Sequence, residues 1–226
     1  MTRIATIAAA LLALGLTAIH ANESRPVAVA IRLSVDPSIA SPHITPALKE
    51  ETEAIWGPYG IQLDWADRDT SEGPAATVSL DVTVERQFEE RQRRKLPRVL
   101  GRVVFEPGAA TWRPIYVSFD AIESVLANRT RTSLSGIVPD RDLARALARV
   151  LAHEIGHVLM GVPGHDEAGL MRATFNADEL GELDSKPFRL TCDSADHVRR
   201  RLSAITGYTQ PDLERGSACI AVQSPQ

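Results

Sequence analysis

His153 and His157 stand four residues apart, with Glu154 directly after the first. On a helix that spacing stacks both imidazoles on one face, one turn apart. Two neutral imidazoles so placed can hold one zinc ion from the same side. Glu154 points about 100° further round, off the ligand position but within reach of a water on the metal's open side. The His-Glu-x-x-His order therefore reads as a zinc-bound pair beside a general base for attack by water. The plain alternative is a buried helix with two incidental histidines. Against it, Leu143, Leu147, Leu151, Ile155 and Leu159 recur every fourth residue as a core-facing stripe. The histidines lie off that stripe, where a core role satisfied by a carbonyl is not expected.

Gly161 and Pro163-Gly164 stop the helix soon after His157, and the chain then delivers His165 as a third candidate ligand. Three protein ligands with a fourth position open is the catalytic zinc pattern, whereas structural sites are closed by four. At these residues the chain resembles the metzincin clan of metallopeptidases. That clan carries His-Glu-x-x-His-x-x-Gly-x-x-His followed by a methionine in a tight turn under the metal. His153, Glu154 and His157 match, and Gly161, His165 and the Gly169-Leu170-Met171 turn match in kind. Gly161 comes one residue later than in the clan's motif and His165 two residues later, which a bulged loop accommodates. The resemblance implies zinc at His153, His157 and His165, Glu154 as base in peptide-bond hydrolysis, and Met171 packed beneath the site. No Tyr stands beside Met171 as a further oxyanion donor; Arg172 stands there without an assigned role. A second ligand set stays open. In the gluzincins, which resemble thermolysin, a Glu on a later helix is the third ligand, and Glu179 and Glu182 fall in that range.

Two other classes use the same residues. One is a zinc hydrolase of some other amide. The other is a secreted module that keeps zinc without catalysis, although a structural site has no use for a base at Glu154.

Residues 1–21 read as a secretory signal, with Arg3 before the uncharged run Ile4–Ile19 and small residues at Ala18 and Ala21. The run is short for a membrane span, so the expected destination is secreted or periplasmic, with an uncleaved anchor as the alternative. Loss of this segment removes Arg3 and moves the formal net charge from −4 to about −5. That balance argues against a nucleic-acid partner and leaves a protein or peptide substrate as the expected one. Cys192 and Cys219 are the two cysteines, and in an exported chain they are expected to pair.

The elements that must position the site follow from periodicity. Val27 to Ser34, Ile61 to Trp65 and Thr77 to Val84 read as strands, as do Val99 to Phe105 and Ile115 to Phe119. Ile44 to Trp56, Asp120 to Asn128 and Ala195 to Thr206 read as helices. On the last of these, Val198, Leu202 and Ile205 share one side. Asp140 is the expected N-cap of the helix bearing the histidines. Glu85 to Arg98 is a charged connection. This order fits an α+β fold, a mixed twisted sheet with backing helices and a small, mainly helical C-terminal lobe. Residues 22–226 form the expected zinc metallopeptidase domain, with an upper lobe of about 26–161 and a lower one of about 162–226. In metzincins an edge strand pairs with the extended substrate, and either Val99 to Phe105 or Ile115 to Phe119 is placed to be that edge.

Overall fold

The computed structural model describes residues 26–66, 78–88, 99–104, 114–130, 138–206 and 219–221. The expected signal segment at 1–21 and most of the charged connection lie outside the described residues. The elements run β1 (Val27–Val35), α1 (Ile44–Trp56), β2 (Ile61–Ala66), β3 (Val78–Glu85), β4 (Gly101–Val103), β5 (Ile115–Ser118), α2 (Phe119–Thr130), α3 (Asp140–Met160), α4 (Ala177–Gly181) and α5 (Cys192–Thr206). The architecture is α+β: a five-stranded mixed sheet in the order β2-β1-β3-β5-β4, backed by helices. Four strands run parallel, and β4 joins antiparallel at the end.

Register explains which face meets the helices. Ile31 lies beside Leu80, Val82 beside Ile115, and Val84 beside Val117, and all six are buried. The alternate positions are polar: Arg32 lies beside Asp81 and pairs with it at 2.7 Å. One apolar face and one polar face is what period-two alternation dictates. β4 is shorter than the alternation predicts, and it, not β5, is the edge strand at that end of the sheet among the described residues, with β2 at the other end.

Helix α3 is buried at every residue from Leu143 to His157. Its small side chains, Ala144, Ala146, Ala148, Ala152 and Gly156, let neighbours approach on every side. Helix α1 packs along it, and β4, β5, α2, α4 and α5 also touch it. Two expectations are corrected here. Asp140 is not the N-cap; that position is Pro139, with no side-chain cap. Asp140 is the first helical residue and accepts a hydrogen bond from Ser41 Oγ at 3.2 Å. On α5, Val198 and Leu202 are buried but Ile205, one residue from the helix end, is 49% exposed.

A second stripe of α3 decides how the C-terminal segment is held. Arg145, Arg149, His153 and His157 also recur every fourth residue, and all four are buried. Each donates to a main-chain carbonyl downstream. His157 Nδ1 reaches Val162 O at 3.1 Å and His153 Nδ1 reaches Leu170 O at 2.7 Å. Arg149 reaches the carbonyls of Glu179, Leu180 and Asp184 at 2.5, 3.2 and 3.1 Å. Arg145 reaches Gly181 O at 2.8 Å. The chain after α3 thus runs back along the helix that precedes it, its carbonyls in loops and at the C-terminal end of α4 satisfied by helix side chains. Arg149 has no exposure, and a buried guanidinium is tolerable only when paired and hydrogen-bonded. Glu51 on α1 supplies the charge at 3.0 Å, and the Phe188 ring lies 4.4 Å from the guanidinium. Beyond α3 the described chain is helical, with isolated bridges only, and it is closed by the expected Cys192–Cys219 disulfide.

Candidate metal centre

Helix α3 ends at Gly161, whose φ of 71° is a left-handed cap that suits glycine. The chain then swings through Val162, Pro163 and Gly164 and brings His165 back over the helix. The ring of His165 lies 5.3 Å from that of His153, nearly parallel, and 4.9 Å from that of His157, nearly perpendicular. One ring nitrogen from each of the three lies within 4.8 Å of the others. The two extra residues between His157 and His165 are absorbed by this loop.

The histidines on α3 are not where their position off the leucine stripe predicts. Both are buried, and both do satisfy carbonyls, through Nδ1. Only a protonated Nδ1 can bond a carbonyl, so in the neutral ring Nε2 carries a lone pair. Burial keeps the rings neutral: it lowers the His153 pKa to about 4 and that of His157 below the usual value. The two Nε2 atoms lie 3.0 Å apart. Two facing lone pairs at that distance repel unless a cation sits between them. The separation is close to the edge of about 3.3 Å expected for two nitrogens on a tetrahedral zinc. The residues therefore fit a zinc ion, with carbonyls orienting the two helical histidines from behind.

Glu154 is buried on the neighbouring face, and burial alone raises its pKa to about 8. Its carboxylate lies against β4: a Cβ built on Gly101 would stand 2.7 Å from Glu154 Oε1. Only glycine leaves the Glu154 carboxylate its space. Below the histidines, Met171 is fully buried, and its Sδ fills the volume a Cβ at Gly156 would need. The turn before it is pinned by Leu170 N donating to Arg189 O at 2.7 Å. Gly169, with φ of 75°, makes that turn possible. Phe175 closes the side of His153 with its ring at 5.6 Å.

The alternative carboxylates are elsewhere. Glu179 accepts from Asn176 N in a capping box and pairs with Arg172 at 2.8 Å. Glu182 is the exposed C-cap residue of α4. Arg172 thereby acquires a place: it ties the methionine turn to α4 and covers the Phe175 ring at 4.8 Å.

Sequence reasoning missed Gly101 and Arg149. The four-residue recurrence of Arg145, Arg149, His153 and His157 could have shown Arg149. Gly101 carries no such local signal.

No protein-family model matches the chain, and no curated protein sequence matches it. Among solved structures it is similar to a zinc-dependent peptidase from Methanocorpusculum labreanum. The identity is 17%, over 74% of this chain and 99% of that one, with a TM-score of 0.45. It is also similar to archaemetzincin from Methanopyrus kandleri, at 14% identity over 81% of this chain and 99% of that one, with a TM-score of 0.43.

Proposed function

We propose that this chain is an exported zinc-dependent metallopeptidase of metzincin-like type, with His153, His157 and His165 as zinc ligands and Glu154 as general base. The observation that carries the reading is the pair of neutral imidazoles facing each other at 3.0 Å with a third imidazole beside them. Zinc held by these three imidazoles would supply a Lewis acid for a carbonyl oxygen and would lower the pKa of a bound water toward neutrality. Glu154 accepts the proton of the attacking water and passes it to the leaving nitrogen. Its buried setting favours this exchange, because a carboxyl shielded from solvent is a stronger base than an exposed one.

An extended peptide is the substrate the surroundings favour. Ser118 N donates to Leu100 O at 2.8 Å and Val104 N to Pro114 O at 3.2 Å. Antiparallel alternation then turns the peptide groups of Gly101 and Val103 away from β5. No described strand pairs with that side, and Gly101 is the residue touching Glu154. A substrate strand added there lies alongside the base. Export is supported by the apolar leader at 1–21 and by the disulfide, which persists in oxidising compartments.

The test is Glu154→Gln on the purified chain with casein as substrate. Zinc content should stay at one per chain while hydrolysis falls by roughly 10²- to 10⁴-fold. Full hydrolysis at wild-type zinc content would falsify the assignment of Glu154. Activity that survives complete chelation would remove the metal from the reaction.

A further inference from the structure

The three candidate ligands are not held alike. His153 and His157 stand on a buried helix, and each has a carbonyl behind Nδ1. His165 is exposed on a loop, and no hydrogen bond anchors its ring among the described residues. Val162, Pro163 and Gly164 before it are exposed too. Its position depends on the first fixed point that follows.

That point is Asp166. Its N–H donates to Met171 O at 2.8 Å. Its Oδ2 accepts from both Thr191 Oγ1 and Ser194 Oγ, each at 2.7 Å. Both hydroxyls belong to buried residues at the start of α5. Thr191 is itself oriented, because its Oγ1 accepts from Ser194 N at 3.2 Å and so turns its own proton to Asp166. The same corner is tied down from the other side. Cys192 is bonded to Cys219, Cys192 N donates to Ile220 O at 3.1 Å, and Ile220 N donates to Leu190 O at 2.9 Å. A carboxylate at a helix N-terminus is also favoured by the helix dipole.

We infer that Asp166 is a positioning residue for His165: clamped by the Thr191 and Ser194 hydroxyls, it fastens the third-ligand loop to the disulfide-bearing corner of α5 and so sets the affinity for zinc. The inference rests on the reading of His165 as a ligand. It assigns no contact between Asp166 and metal or substrate.

The geometry separates this role from simple charge. Both hydroxyls bond one oxygen, so an amide oxygen in the same place can accept both. Asp166→Asn should therefore keep zinc affinity within a few-fold of wild type. Asp166→Ala should weaken it by about 10- to 100-fold, the usual loss when an outer partner of a ligand is removed. Ser194→Ala, which removes one donor and leaves the Thr191 cap of α5 in place, should fall between. The experiment is zinc competition against a chromophoric chelator, with the visible spectrum of the cobalt-substituted protein as second readout. Asp166→Ala should weaken and shift the cobalt bands as His165→Ala does, whereas general loss of stability leaves the bands of the folded fraction unchanged. His165→Ala sets the scale. If it weakens zinc while Asp166→Ala and Ser194→Ala bind like wild type, the inference is wrong and the ligand set stands. If His165→Ala binds zinc like wild type, the ligand set fails and this inference fails with it. Equal losses in Asp166→Asn and Asp166→Ala would show that charge, not the clamp, matters, and would also overturn it.

Discussion

Gly101→Ala tests the placement of Glu154, the proposed general base, without touching a proposed metal ligand. The new methyl would stand 2.7 Å from Glu154 Oε1, 2.8 Å from Glu154 Cγ and 2.8 Å from Val150 Cγ1, where ordinary contact begins at 3.4 Å. The shortfall is about 0.6–0.7 Å at three atoms at once, two on Glu154 and one on Val150. Strand β4 cannot retreat, because Leu100 O and Val104 N flank Gly101 and both are bonded to the neighbouring strand. Helix α3 cannot retreat, because it is packed on every side. The flexible carboxylate has to move.

Two effects compete in the stability of this variant. Replacing a strand glycine normally stabilises by about 0.5–1 kcal/mol, because glycine loses more freedom on folding. Overpacking of this kind costs about 1–3 kcal/mol. The second is larger, so Tm should fall, by a few degrees at about 2–4 °C per kcal/mol for a chain of this size. Catalysis should suffer more than stability. A misplacement near 1 Å costs about 10²-fold, so kcat on a peptide should fall by on the order of 10- to 100-fold. Zinc affinity should not change, because no imidazole or carbonyl partner is disturbed. Calorimetry, zinc titration and steady-state hydrolysis on one preparation give all three numbers. A raised Tm with wild-type kcat would refute the reasoning, since it would mean that Gly101 and Glu154 are not in contact.

Other perturbations probe how the site is held. Arg149→Met removes the partner of Glu51 and of three main-chain carbonyls, and urea unfolding should show a loss of about 3–5 kcal/mol; a loss under about 1 kcal/mol would show that those carbonyls find other donors. Replacing Cys192 and Cys219 by serine opens a loop with a sequence separation of 27 and should cost about 3–4 kcal/mol, read as a lower denaturation midpoint; an unchanged midpoint would show that the tail is held without the bond. Chelation should lower Tm, since zinc at roughly a thousand times its Kd adds about 4 kcal/mol to the folded state. A Tm indifferent to chelator would mean that the three imidazoles bind no metal in the folded chain.

The fold was legible wherever one residue type repeats at the period of its element. Val27 to Val35 and Val78 to Glu85 alternate, and their strands stand within a residue of where alternation puts them. The leucines of α3 recur every fourth residue, and that helix ends at the glycine that predicts its end. Strand β4 was legible only in outline, because three residues at a sheet edge leave no period to read. The burial of the histidines was misread for a related reason. A surface helix has one apolar stripe and a polar remainder, so residues off the leucines are assigned to solvent. Helix α3 is instead enclosed, and its polar stripe serves a chain segment that arrives later in the sequence and needs donors for its carbonyls. Nothing local says that Val162 and Leu170 offer those carbonyls, because the pairing is made by tertiary packing. Yet the packing leaves a trace. Arg145, Arg149, His153 and His157 keep the same four-residue interval as the leucines two positions ahead of them. Two interleaved stripes, one apolar and one of long hydrogen-bond donors, are the mark of a helix buried against backbone as well as against side chains. On such a helix a histidine is oriented through Nδ1 by the chain it supports, and its Nε2 is left free to bind an electrophile. The interval that carries two of the proposed ligands is therefore the same interval that fastens the C-terminal segment, and a substitution that loosens one should loosen the other.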